Sequence, residues 1–163
     1  PLFRGASPRG RCGALTAARS MRRADRLALG VAALGGLVSF YLTWLHYSGS
    51  LALCLGAGGC ETVQSSRYAE LGGIPVALLG LVFFVLAAGL VVRRGRTHGA
   101  RREAARLAFF GLTLSGVVFA GYLTYLELFV IGAICPWCVT VALCVALLFA
   151  LAVRDLGTKR SIP

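Results

Sequence analysis

Four stretches of about 20 residues, 27–47, 74–92, 107–126 and 134–153, contain no Asp, Glu, Lys or Arg. A helix of that length rises about 30 Å, enough to cross the hydrocarbon core of a bilayer. Water offers no comparable use for four such segments in 163 residues. Charged residues make up 14% of the chain, well under the roughly 25% of a soluble domain. The fold expected is therefore an all-α membrane protein, a four-transmembrane-helix bundle spanning 27–153. Small residues four apart, Ala32/Gly36, Gly35/Ser39 and Gly116/Ala120, allow the helices to approach closely.

The charges outside the spans fix an orientation. Segments 1–26, 93–106 and 154–163 hold sixteen of the seventeen basic residues, and only Arg67 falls on the opposite side. The positive-inside rule then places both termini and 93–106 in the cytoplasm, with loop 48–73 and the short turn 127–133 facing outward. The net charge of +11 is a topology signal and implies no nucleic-acid partner; the surrounding partner is membrane lipid. Residues 1–26 read as a basic, Pro/Gly/Arg-rich cytoplasmic tail, expected to be disordered, and 154–163 as a second tail. Met21, the single methionine, directly precedes Arg22 and Arg23, so residues 1–20 also fit an upstream start. The first span is too long for a signal-peptide core, and Leu53 before Cys54 is too bulky for a cleavage site, so the helix is expected to be retained.

A shift of 81 residues aligns the first span with the third. Tyr41-Leu42-Thr43-Trp44-Leu45 falls on Tyr122-Leu123-Thr124-Tyr125-Leu126, Gly35 on Gly116 and Cys54 on Cys135. Seven of twenty positions over 35–54 are identical. The pattern is that of two parallel hairpin units. His46 and Glu127 also correspond; either could supply protons to a substrate, although both read most simply as ordinary polar residues at the interface.

Four of the six cysteines lie on the outward side as two pairs. Cys54 and Cys60 flank a glycine-rich stretch in the first outer loop, and Cys135-Pro136-Trp137-Cys138 opens the fourth span. A C-x-x-C at a helix start is the spacing of thiol–disulfide chemistry: the unpaired N–H groups of the first turn favour a thiolate, and Pro136 suits that turn because it has no N–H to leave unpaired. Two inert bridges stapling the outer surface are one competing reading, and a zinc site built from four thiolates is another. The five-residue gap between Cys54 and Cys60 is wide for zinc, so no metal ligand is assigned. Cys144, turned away from Cys138 on its helix, reads as a packing residue, and Cys12 lies on the reducing side. The span-3 aromatics, Phe119 among them, fit a wall for a flat ring and equally fit lipid-facing or plain packing residues. No ionisable residue falls in mid-span, which disfavours an ion-coupled transporter.

Cys54 and Cys60, then Ser65-Ser66, then Gly73-Ile74-Pro75, then Cys135-Pro136-Trp137-Cys138 form an ordered set that resembles the vitamin K epoxide reductase family over roughly 27–153. DsbB-type quinone reductases also carry two outer pairs, but there the C-x-x-C comes first. The resemblance implies that Cys135 and Cys138 are the catalytic pair, with Cys138 facing a quinone of the ubiquinone, menaquinone or phylloquinone type. It implies that Cys54 and Cys60 shuttle electrons from a thioredoxin-like or DsbA-like partner, acting in trans because no thioredoxin-like domain follows Val153. Ser66 then supports the quinone end of the site, with Cys138 and Phe119 against the ring. The expected function is a quinone-dependent thiol oxidoreductase of the bacterial inner membrane, supporting disulfide formation in exported proteins. Where the vertebrate enzymes have an Asn and a Tyr against the vitamin, this chain has Val76 and Ala142. That favours quinone reduction over epoxide reduction. A non-enzymatic metal-binding or structural membrane protein is the alternative of a different class.

Overall fold

A computed structural model describes residues 23–49, 62, 63, 66 and 69–157. Four helices account for nearly all of them: α1 (Arg23–Ser48), α2 (Val76–Arg96), α3 (Ala100–Tyr125) and α4 (Pro136–Gly157). Each contains most of one apolar stretch and is long and apolar enough to cross a membrane. The helices run past the stretches at the arginine end, taking in Asp25, Arg94, Arg106 and Asp155. The bundle is a closed ring in which α2 packs on α1 and α3, and α4 packs on α3 and α1. Large apolar side chains such as Leu37, Val118 and Leu143 point outward, as the lipid-facing surface of a membrane bundle must.

The core lies toward the arginine end. Ala28 and Ala32 of α1, Phe84, Ala87 and Val91 of α2, Phe109 of α3, and Cys144, Val145, Leu148 and Ala152 of α4 form one buried cluster. Cys144 thus packs in the core. Gly35 and Gly116, the pair related by the 81-residue shift, do the same job on opposite sides of α2. A Cβ at Gly35 would overlap the Phe84 ring, and one at Gly116 would sit 2.6 Å from the Phe83 ring. The two neighbouring phenylalanines each lie in the groove that one glycine leaves open.

Below the core a network of charges ties all four helices together. The Arg94 guanidinium meets Asp25 at 2.6 Å and Asp155 at 3.4 Å, and stacks 4.8 Å over the Phe109 ring. Arg106 donates through Nε to the Asp155 carboxylate at 2.8 Å and through Nη2 to the Asp155 carbonyl, and lies 3.4 Å from Glu103. Two arginines of the topology signal are therefore buried structural groups rather than solvated loop charges.

The opposite end is shaped by two glycine-dependent turns. Gly72 and Gly73, at φ 62° and 83°, connect β1 (Glu70–Leu71) to β2 (Ile74–Pro75) as a two-residue antiparallel hairpin leading into α2. Positive φ at both central residues is the requirement of the tight primed turn, which glycine meets without steric cost. The purely helical expectation did not include this hairpin. The second turn closes α3: the last six residues, Leu126–Ile131, widen into a π-helical segment that ends at Gly132, φ 66°.

Candidate active site

Cys135 is the N-cap of α4. Its carbonyl accepts the Val139 N–H at 3.0 Å, the first bond of the helix, and its sulfur accepts the Cys138 backbone N–H at 3.4 Å. Pro136 occupies the first helical position, where its missing N–H leaves nothing unpaired. This is the geometry of a Ser or Asp cap with sulfur in place of oxygen. Both Cys135 and Cys138 are free thiols, the first fully buried and the second half-buried. The hydrogen bond from the Cys138 thiol, with help from the backbone N–H groups of Cys138 and Trp137, holds Cys135 below the ordinary thiol value against the opposing effect of burial. The helix-end N–H therefore falls on Cys135, leaving the Cys138 sulfur to point elsewhere. Trp137 packs against Tyr41 of α1, ring centroids 5.5 Å apart, and so fixes the start of α4 on its neighbour.

Cys138 points into a cavity of about 520 Å³ enclosed by all four helices at their cysteine end. That volume lies within the ordinary range for a small-molecule pocket. Its walls are mostly apolar: Leu42 from α1, Val76, Leu79 and Phe83 from α2, Phe119 and Leu123 from α3, Val141 and Ala142 from α4. Hydroxyls nearby are spent on their own helices, Thr43 donating to the Ser39 carbonyl and Thr124 to that of Ala120. Ser66 reaches the cavity from the segment between α1 and α2, where its hydroxyl donates to the Val63 carbonyl at 2.7 Å. Cys138, Phe119 and Ser66, separate in sequence, therefore share one cavity, with Val76 and Ala142 in the same wall. Cys54 and Cys60 lie outside the described residues.

Two further residues enter the cavity that the sequence reading assigned to the interface. His46 lines it and pairs with Glu70 of the hairpin at 3.2 Å. Glu127 lines it from the π-helical segment and is buried beside the Cys138 thiol and the Cys135 backbone. The signal available was their equivalence under the 81-residue shift.

The sequence profile of the Vitamin K epoxide reductase family matches residues 26–153. The chain belongs to that family. Among curated proteins it is similar to the thiol-disulfide oxidoreductase LTO1 of Arabidopsis thaliana, 32% identical over 120 residues. That alignment covers 71% of this chain and 32% of the relative, so the chain spans about a third of the plant protein's length. The family match runs from the start of α1 nearly to the end of α4 and takes in every element of the cavity. The apolar cavity beside Cys138, about 520 Å³, is large enough to take a flat ring.

Proposed function

We propose that the protein is a membrane-embedded, quinone-dependent thiol oxidoreductase. The reading rests chiefly on one observation: Cys138 of a C-x-x-C pair opens directly onto an apolar cavity, while its partner Cys135 is held as the readily ionised sulfur at the helix cap. Electrons enter from a reduced thioredoxin-like or DsbA-like protein at Cys54 and Cys60, in the outer loop of a bacterial inner-membrane protein with cytoplasmic termini. They pass to Cys135 and Cys138 by thiolate attack on a disulfide, through a mixed disulfide. The bound quinone supplies a two-electron acceptor.

The chain's own residues do the rest. Cys135, stabilised as thiolate, bonds to the Cys138 sulfur as that sulfur loses its proton and the pair's two electrons pass to the acceptor, closing the disulfide. The apolar walls, Phe119 and Leu123 among them, exclude water and hold a flat ring against Cys138. Ser66 and the hairpin at Glu70–Pro75 cover the outer end. The net product is a new disulfide in the protein partner.

The test is oxidation of a reduced DsbA-like protein by the purified protein in detergent, with ubiquinone or menaquinone as acceptor. Quinol should form in step with partner disulfide. Stoichiometric zinc without turnover would favour the metal-binding reading instead.

A further inference from the structure

Three titratable side chains line the cavity: Cys138 from α4, His46 from α1 and Glu127 from the π-helical end of α3. Disulfide exchange accounts for Cys138, and His46 is engaged with Glu70 at 3.2 Å. Thiol exchange alone leaves Glu127 without a task.

A carboxyl buried at the end of an apolar helix is costly unless its surroundings satisfy it. Glu127 is 7% exposed, whereas the next three residues, Leu128, Phe129 and Val130, are exposed at 51%, 74% and 49%. The segment therefore turns Leu126 and Glu127 inward, and Glu127 is the ionisable one of the two. The π-helical register from Leu126 to Ile131 changes the direction of successive side chains at this point, and such segments recur at functional sites. Gly132 then takes the left-handed conformation, and the N–H groups of Gly132 and Ala133 both donate to the Glu127 carbonyl. The backbone of Glu127 is pinned from behind while its carboxyl faces the reacting pair. That carboxyl shares the cavity with the Cys138 thiol and lies beside the Cys135 backbone.

We propose that Glu127 is a catalytic proton carrier between the Cys138 thiol and the acceptor in the cavity. The inference rests on the thiol–quinone reading above and adds to it the group that moves the proton. Closing the Cys135–Cys138 bond breaks two S–H bonds, forms one S–S bond and releases two electrons and two protons. The two electrons reduce a para-quinone, whose two oxygens must gain two protons to become quinol. Glu127 accepts the Cys138 proton and passes it to one of those oxygens, returning to carboxylate. The other oxygen is protonated from the outer aqueous phase, matching the proton that Cys135 gives up there. Of the hydroxyls lining the cavity, those of Ser66, Ser115 and Thr124 donate to backbone carbonyls, and His46 is turned to Glu70.

The test uses Glu127→Gln and Glu127→Asp in the full chain, reduced and mixed with a short-chain ubiquinone, with quinol followed across pH. Gln keeps the shape and a hydrogen bond but cannot cycle a proton. It should lower kcat by roughly 10²–10⁴-fold, with KM for the quinone moving less than about threefold, and should erase the acid limb of the pH profile. His46, its partner Glu70 and the two cysteines remain in every variant, so the limb that disappears belongs to Glu127. Asp should restore kcat to within about tenfold of the unaltered protein and should shift that limb. A Gln variant within about threefold of the unaltered kcat, with its profile intact, overturns the proposal. So does an Asp variant as slow as Gln, which would assign the effect to shape. If Gln prevents folding, the Asp variant decides alone: a slower rate with a moved limb supports the carrier, and an unchanged rate and limb overturn it. An unaltered protein that makes no quinol overturns the thiol–quinone reading and this inference with it, an outcome separate from all the others.

Discussion

The Cys138 backbone N–H points back at the Cys135 sulfur, 3.4 Å away, so the C-x-x-C pair is divided between two environments. One sulfur belongs to the helix cap and the other to the cavity. The Cys138 thiol hydrogen bond is the largest influence holding Cys135 below the ordinary thiol value of 9.0. In a variant retaining only Cys135 and Cys138, thiolate absorbance in the ultraviolet should therefore appear at lower pH than that of an ordinary thiol and fall away on further acidification. Adding Cys138→Ala removes that hydrogen bond and should move the midpoint upward. A midpoint that stays put would show that the helix end alone sets it.

The glycines that receive Phe84 and Phe83 give a packing prediction. Gly35→Ala and Gly116→Ala force a methyl group into an occupied ring position and should each cost about 1–3 kcal/mol. The readout is the unfolding midpoint in detergent. Gly89, which has no heavy atom within 4 Å of its would-be Cβ, is the control: alanine there should be neutral or slightly stabilising.

Arg94 and Asp25, 2.6 Å apart and both buried, join α1 to α2 at the arginine end. Arg94→Met strands the Asp25 charge and should destabilise the bundle by about 3–5 kcal/mol. Asp155 keeps Arg106, so most of the loss should trace to Asp25. Asp25→Asn added to Arg94→Met should recover a good part of it in the same unfolding measurement.

The four helices were legible because a bilayer demands long uncharged segments, and 27–47 or 134–153 meet that demand on sight. Packing at Gly35 and Gly116 was legible through small-residue spacing and the repeat, although the Phe83/Phe84 partners were not. Arg94 and Arg106 were counted as loop charges, because their pairing with Asp155 spans 61 and 49 residues and composition carries no trace of it. The Gly72-Gly73 hairpin was hidden by its shortness. Glu127 was the instructive case. At the end of a span, an acidic residue reads as an interfacial one, and only the π-helical turn reveals that it is buried against Cys138.

The central claim is that the Cys135–Cys138 dithiol delivers its electrons to a quinone in the adjoining cavity. The most direct measurement is a single turnover of the variant retaining only those two cysteines, purified, fully reduced and freed of reductant, then mixed with excess quinone. The account predicts one quinol per protein molecule, appearing together with a Cys135–Cys138 disulfide found by peptide mapping, and neither product after Cys138→Ser. Loss of both thiols without quinol, or quinol formed equally well by the Cys138→Ser protein, would contradict it.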